Sequence, residues 1–288
     1  MPSLRDLRRR IKSIKSTQQI TKAMKAVSAA KMRKAQDAVL AARPYSKRIK
    51  GVLGRVAKAS SGVKNPLLAV REPNKVAYIV ITADRGLCGG FNSNVLRRAA
   101  LEFKGLSAEL NLITVGRKSR DFFRRRKFDI AQQYIGLGDD IHGGIPRDIA
   151  NFVTDKYAAA EYDAVYLIYS QYINALVQKP VLVKLLPAEP PEEDEQTKEA
   201  SKYVDYLFEP EAGDVLAVLL PRYIENAIYQ GLLESKAGEH SARMAAMDNA
   251  TKNASEMINK LTLSMNRARQ AQITKEISEI VGGAAALE

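Results

Sequence analysis

The sequence predicts an α+β protein: a long antiparallel coiled coil of N- and C-terminal helices, plus an α/β, Rossmann-like domain with a mainly parallel sheet. Three observations predict it. Proline and glycine are absent from long stretches near both ends, apolar residues recur there at heptad-like spacing, and the middle alternates β-branched apolar runs with helical segments. The expected domains are an N-terminal coiled-coil helix over 1–58, an α/β base over 73–208 and a C-terminal coiled-coil helix over 212–288.

The N-terminal helix is expected to start at Ser3, whose pairing with Asp6 three residues on has the form of an N-cap. The next proline after Pro2 is Pro44 and the first glycine is Gly51. Ala, Lys, Arg, Met, Leu and Gln fill the interval, and ~40 such residues make a helix of roughly 60 Å. Leu4, Leu7, Ile11 and Ile14 step by 3, 4 and 3, and the apolar stripe is expected to continue through Ile20, Met24 and Val27 to Ala35, Ala38 and Ala42.

The middle reads as βαβ units. Val76–Thr82, Leu110–Val115, Ala164–Tyr169 and Val181–Leu186 are short apolar runs of strand type. Ser93–Phe103, Arg117–Arg126 and Pro146–Glu161 are helix candidates between them. The acidic, proline-containing Ala188–Ala200 is expected to be a solvated loop, and Tyr203–Phe208 a last strand.

The C-terminal helix is free of proline from Arg222 to Val281, with Gly231 and Gly238 as its interruptions. Sixty residues make a helix of roughly 90 Å, and Gly282-Gly283 is expected to stop it. Ile258, Leu261, Met265 and Ala268, then Ile273, Ile277 and Ile280, supply its apolar stripe. Helices of this length are not stable bare, so the simplest arrangement pairs the two ends of the chain.

Composition narrows the function. The chain has 288 residues and a net charge of +13. Residues 1–58 hold 17 Lys or Arg against only Asp6 and Asp37, so the remaining residues are nearly neutral. A basic helix suits nucleic acid, a membrane surface or an acidic protein. No aromatic residue interleaves it before Tyr45, which disfavours single-stranded nucleic acid. One cysteine excludes a disulfide framework, and no run of ~20 apolar residues offers a membrane span. The N-terminus lacks a signal-peptide core, which reads as an intracellular protein or the mature form of an organelle protein.

The turn Arg85-Gly-Leu-Cys-Gly-Gly-Phe-Asn92 follows the first strand, where α/β proteins cradle phosphate. Its G-x-x-G-G spacing matches neither nucleotide-binding motif, so it reads as a structural turn with Cys88 as a small structural residue. His142 and His240 have no ligand partners at metal-site spacing, and Glu189, Glu192, Glu193, Asp194 and Glu195 read as a charged loop. No catalytic, cofactor or metal site is expected. Ser16–Lys34 and Asn266–Ala286 set Gln18, Gln19, Thr21, Arg269, Gln270 and Thr274 among the stripes. Those polar residues suit either a solvated face or a surface that touches partners without sticking to them.

At these segments the chain resembles the gamma subunits of F-type ATP synthases. Ile20–Gln36 (ITKAMKAVSAAKMRKAQ), Thr82–Asn92 (TADRGLCGGFN), Ser241–Thr251 (SARMAAMDNAT), Ala268–Glu276 (ARQAQITKE) and Ile273–Ala286 (ITKEISEIVGGAAA) carry the resemblance in family order over essentially the whole chain. It implies a central rotor shaft that transmits torque between a proton-driven c ring and a ring of alpha and beta subunits, with no catalysis of its own. It implies partners in alpha, beta, epsilon and the c ring, no nucleic acid, and a peripheral place on the cytoplasmic face of a bacterial plasma membrane or an equivalent energy-coupling membrane. By residue match, Met24, Arg243, Arg269, Gln270 and Thr274 are expected to contact beta subunits, and Tyr206 and Glu209 the c ring and epsilon. The cysteine-bearing insert of the chloroplast form is missing, so thiol switching is not expected. The rival readings are a nucleotide-binding α/β protein using the GLCGG turn and a basic-helix nucleic-acid binder.

Overall fold

The computed structural model describes residues 3–59, 65–139, 141, 144–188 and 211–285. The elements are helix α1 (Leu4–Ala59), strand β1 (Lys75–Ile81), α2 (Phe91–Phe103), β2 (Glu109–Val115), α3 (Arg117–Arg125), β3 (Ile130–Tyr134), α4 (Gly144–Ala158), β4 (Ala164–Tyr172), β5 (Gln178–Leu186) and α5 (Ala212–Ala285). The chain divides into two compact units. One comprises Met1–Ser28 with Arg243–Glu288, the other Ala29–Ala242.

The second unit is a three-layer α/β domain. Its sheet has the order β3-β2-β1-β4-β5, parallel except for the antiparallel β4–β5 pair. Alternate side chains of β1 feed two cores. Ala77, Ile79 and Ile81 pack with Leu53 of α1, Ile149 and Val153 of α4, and Leu220, Ile224 and Leu232 of α5. Val76, Tyr78 and Val80 pack with Val95 and Ala99 of α2 and Phe123 of α3. That alternation is the period-2 geometry of a strand buried on both faces.

Over 231–241, α5 is buried almost all round. Its two interior glycines mark close approach rather than interruption. A Cβ on Gly231 would stand 3.0 Å from Leu167 Cδ2 of β4, and one on Gly238 would stand 3.2 Å from Phe91 Cε2. Glycine lets the helix lie closer to its neighbours than alanine would.

In the first unit, α1 opens on the expected cap. The Asp6 N–H donates to Ser3 Oγ at 3.2 Å, and the Ser3 hydroxyl donates to the Asp6 carboxylate at 2.8 Å. Leu7 and Ile11 are buried.

Pro44 lies inside α1 and Pro221 inside α5. Several expectations need correction. Gly282-Gly283 does not stop α5, which runs to Ala285. A glycine ends a helix by taking a left-handed φ, and Gly282 has none. The strand β3 was not foreseen, because IAQQY is a half-exposed edge strand with little apolar content. The stripe through Ile20 and Val27 is also wrong: both side chains are more than half exposed. Most of the acidic segment, the expected strand Tyr203–Phe208 and His142 lie outside the described residues.

Candidate partner-contact surface

In the first unit, the seam between α1 and α5 follows strict heptad arithmetic with polar residues at its centre. Positions 7, 14, 21 and 28 and positions 4, 11, 18 and 25 face inward, and none is fully exposed. Thr21 and Ser28 are buried outright. Gln18 Nε2 donates to Ser255 Oγ at 2.5 Å, the Thr21 and Thr251 hydroxyls share a 2.8 Å bond, and Lys25 Nζ donates to Asp248 Oδ1 at 2.6 Å. As the α1 position rises, its partner on α5 falls, so the helices are antiparallel here. Small hydroxyl side chains keep the seam narrow, and their bonds satisfy the polar groups that packing desolvates.

The Lys25–Asp248 contact lies at the rim of the seam. The Lys25 hydrogen bond holds the Asp248 carboxyl below its usual range, helped by the bond from Lys252.

The pairs 18:255, 21:251 and 25:248 carry the start of α1 at Leu4 to about position 268 of α5. Beyond that point α1 has no residues left to pair. From Arg269 to Gly282 every α5 position is exposed, including Ile273, Ile277, Ile280 and Val281. The expected stripe is therefore half used: Ile258, Leu261, Met265 and Ala268 are partly covered and the later isoleucines are not. A helix end displaying apolar side chains at helical spacing is a surface for a partner.

The expected contact residues distribute unevenly. Arg269, Gln270 and Thr274 lie on the bare segment. Met24 is half-buried beside the seam, and Arg243 is buried with interactions of its own. Tyr206 and Glu209 lie outside the described residues. Gln18 and Thr21 face the partner helix rather than the solvent. Counting sevens from Leu4 and from Leu7 would have found them, but apolar residues alone do not mark the seam.

The GLCGG turn is built as structure. Asn92 Oδ1 accepts the Ala83 N–H at 2.9 Å, and Asn92 Nδ2 donates to Cys88 Sγ at 3.1 Å. Cys88 and Phe91 are buried with Ala83. The first N–H groups of α3 are engaged: Arg117 donates to Asp84 Oδ1, Lys118 to Ala83 O and Ser119 to Thr82 Oγ1. At the carboxyl end of β1, where doubly wound proteins bind nucleotides, Leu232, Lys236 and Glu239 of α5 close in on Thr82 and Asp84. They leave about 10 Å³, room for about one water. Among the described residues no group of His, Cys, Asp and Glu could hold a metal, and no helix is long and apolar enough to cross a membrane.

Comparison with known proteins gives one answer along the chain. The family model described as ATP synthase matches residues 3–287. The ATP synthase gamma chain of Pelotomaculum thermopropionicum is 78% identical over 288 residues, with all of both chains covered. That of Desulforudis audaxviator is 60% identical over 296 residues, again with full coverage. The fold is similar to the central stalk and c-ring structure of the Tetrahymena thermophila mitochondrial ATP synthase, at 28% identity and a TM-score of 0.62, covering 80% of this chain and 99% of that one. It is also similar to a chain of the Euglena gracilis mitochondrial ATP synthase in rotational state 3, with a TM-score of 0.68 at 19% identity, covering 99% and 94%. A family model and relatives that match this antiparallel, polar-seamed chain from end to end leave one conclusion: it belongs to the ATP synthase gamma chain family.

Proposed function

We propose that this chain is the central rotor shaft of an F-type ATP synthase, carrying torque between a membrane c ring and a catalytic ring of alpha and beta subunits. The observation that carries this reading is the bare end of α5, fourteen positions from Arg269 to Gly282 that remain helical with no partner helix among the described residues. Such a segment needs a socket, and a ring of subunits provides one. The α/β unit, with the epsilon subunit, serves as the base on the c ring. The division into helical segments 1–58 and 212–288 around a base at 73–208 follows the same logic.

The shaft works by differential contact. Driving a two-state site from 1:99 to 99:1 takes about 5.5 kcal/mol of difference in contact energy. Turning an asymmetric surface past identical subunits delivers that difference to each in turn, provided the shaft resists twisting. The seam bonds between Gln18 and Ser255 and between Thr21 and Thr251 tie the two helices together at set heights. The 17 cations of residues 1–58 give the shaft a sign that attracts acidic loops on its partners.

Met24, Arg243, Arg269, Gln270 and Thr274 are the proposed beta contacts, and Tyr206 and Glu209 the proposed contacts with the c ring and epsilon. The chain has no catalytic role of its own. What supports this is that α5 side chains fill the crevice where an α/β fold would take a nucleotide, leaving about 10 Å³. The chain acts at the cytoplasmic face of a bacterial plasma membrane or an equivalent energy-coupling membrane, held there through the complex.

Affinity purification of the tagged chain from native membranes tests the reading. The expected result is a stoichiometric ring of nucleotide-binding subunits together with epsilon and the c ring. Recovery of the chain alone from intact complexes would overturn it.

A further inference from the structure

Within the α/β unit, a cavity of about 410 Å³ opens between α1, the start of α4 and α5. That volume lies in the range of small-molecule sites. The buried Ile141 and Pro146 and the rings of Tyr45 and Tyr229 give it apolar and aromatic walls. Arg222, Asn226 and Tyr229 reach it from one face of α5, at positions i, i+4 and i+7.

The polar chemistry of the cavity is set from behind by a directed series of hydrogen bonds. Asn226 Nδ2 donates to Ser46 Oγ at 2.8 Å, the Ser46 hydroxyl to Gln230 Oε1 at 3.3 Å, and Gln230 Nε2 to Glu234 Oε1 at 2.9 Å. The series ends on an acceptor, so every proton in it points away from the cavity and the orientation of the Asn226 amide is fixed. Asn226 is 7% exposed, and its Oδ1 has no partner among the described residues. That oxygen is not one of the polar atoms sealed inside the protein, so it opens on the cavity as an acceptor in want of a donor. Arg222, one turn or about 6 Å back along α5, is exposed and forms no ion pair among the described residues. The Glu225 carboxylate beside it lies 3.5 Å from Arg147 Nε, which leaves the Arg222 guanidinium as the uncompensated charge.

We propose that this cavity is a binding site for a small aromatic hydroxy acid. The carboxylate pairs with the Arg222 guanidinium, whose planar fork fits two carboxylate oxygens. The aromatic ring lies among the tyrosine rings and the apolar wall. The hydroxyl donates its single proton to Asn226 Oδ1, the single free acceptor; an amino group there would leave an N–H unmet. One aromatic ring between the two polar groups matches the one-turn spacing of Arg222 and Asn226. The site uses side chains of the α/β unit alone and does not depend on the rotor reading.

Titration calorimetry of the full chain with 4-hydroxybenzoate tests the proposal. The expected result is one site with a dissociation constant of about 0.1–1 mM, the range open to a ligand of this size. Benzoate, which lacks the donor, should bind about fivefold more weakly. Phenol, which lacks the charge, should bind at least about tenfold more weakly. Arg222→Gln alters an exposed side chain, so the variant should fold as the parent does, and it should weaken 4-hydroxybenzoate about tenfold while leaving phenol unchanged. Tyr45→Ala, also at an exposed position, should weaken every aromatic probe by a similar factor of about three to five. Absence of binding to the parent chain would overturn the proposal. So would an affinity unchanged by Arg222→Gln, or benzoate bound as tightly as the hydroxy acid.

Discussion

Thr21 Oγ1 and Thr251 Oγ1 lie 2.8 Å apart across the seam between α1 and α5. Each hydroxyl also reaches a carbonyl on its own helix, Gln18 O at 3.0 Å and Met247 O at 2.7 Å. Each has one proton, so a bond across the seam is made at the expense of one along a helix. Thr21→Val is expected to cost about 0.5–1 kcal/mol, because Thr251 falls back on Met247 O. The double variant with Thr251→Val should recover part of that loss, giving a coupling of about 0.5 kcal/mol in a urea denaturation cycle. A coupling within error of zero would mean that the contact sets no register.

That pair also shows what the sequence conceals. A seam is legible when its inward positions are apolar, as at Leu7 and Ile11. It is not legible where close approach is bought with small hydroxyls, as at Thr21 and Ser28. Ile20 and Val27 then mislead, since their apolar chains are more than half exposed. The central strands β1, β2 and β4 were readable because burial on both faces leaves unbroken apolar runs. The edge strand β3 has one such residue at each end, Ile130 and Tyr134, and reads as loop. The bare end of α5 was visible as a stripe, but only the count of α1 residues available to cover it shows that it has no partner helix among the described residues.

Gly116 closes the step from β2 to α3 and adopts φ +94°. A Cβ there would lie 2.1 Å from Thr82 O and 2.8 Å from Thr82 C, both backbone atoms at the centre of the sheet. Neither can give way, since the Thr82 N–H is itself bonded to Val115 O at 2.8 Å. Gly116→Ala is therefore expected to cost on the order of 3 kcal/mol, combining backbone strain with displacement of β1. Gly51, in α1 with nothing within 4 Å, is the control. Gly51→Ala is expected to stabilise by about 0.5–1 kcal/mol. Denaturant midpoints of the two variants should move in opposite directions.

Asp139 ties the segment after β3 to two helices. Its carboxylate accepts from Lys31 Nζ at 2.6 Å, and His240 Nε2 lies 3.2 Å from the other oxygen. Burial raises its pKa, but the Lys31 hydrogen bond and the charges of His240, Lys31 and Lys236 outweigh that and hold it below the usual carboxylate range. A depressed carboxylate adds stability above its unfolded pKa and loses it as pH falls through the folded value. Amide exchange over 135–139 should therefore quicken as pH drops below the ordinary aspartate range, after correction for the intrinsic rate. Asp139→Asn should quicken it at neutral pH by roughly two- to fivefold, as for a partly exposed ion pair. The variant should also flatten the acid response. An unaltered pH profile in the variant would show that another group governs the segment.

The end of α5 separates stability from function. Its polar contacts are local, such as Gln272 with Glu276 at 2.9 Å and Lys275 with Glu279 at 3.4 Å, and every side chain from Arg269 to Gly282 is exposed. Removing residues 269–288 therefore deletes no buried contact of the described chain. The melting temperature of the isolated chain is expected to change by no more than about 2 °C, since surface changes of this kind rarely exceed ~0.5 kcal/mol. In the assembled enzyme the same deletion removes the proposed beta contacts Arg269, Gln270 and Thr274 and the apolar stripe proposed to sit in the socket. ATP-driven proton pumping should then fall more than ATP hydrolysis does, because a shaft without its seat slips. A drop in melting temperature above ~5 °C would show that the segment stabilises the chain itself, and undiminished pumping per ATP hydrolysed would show that torque does not depend on its tip.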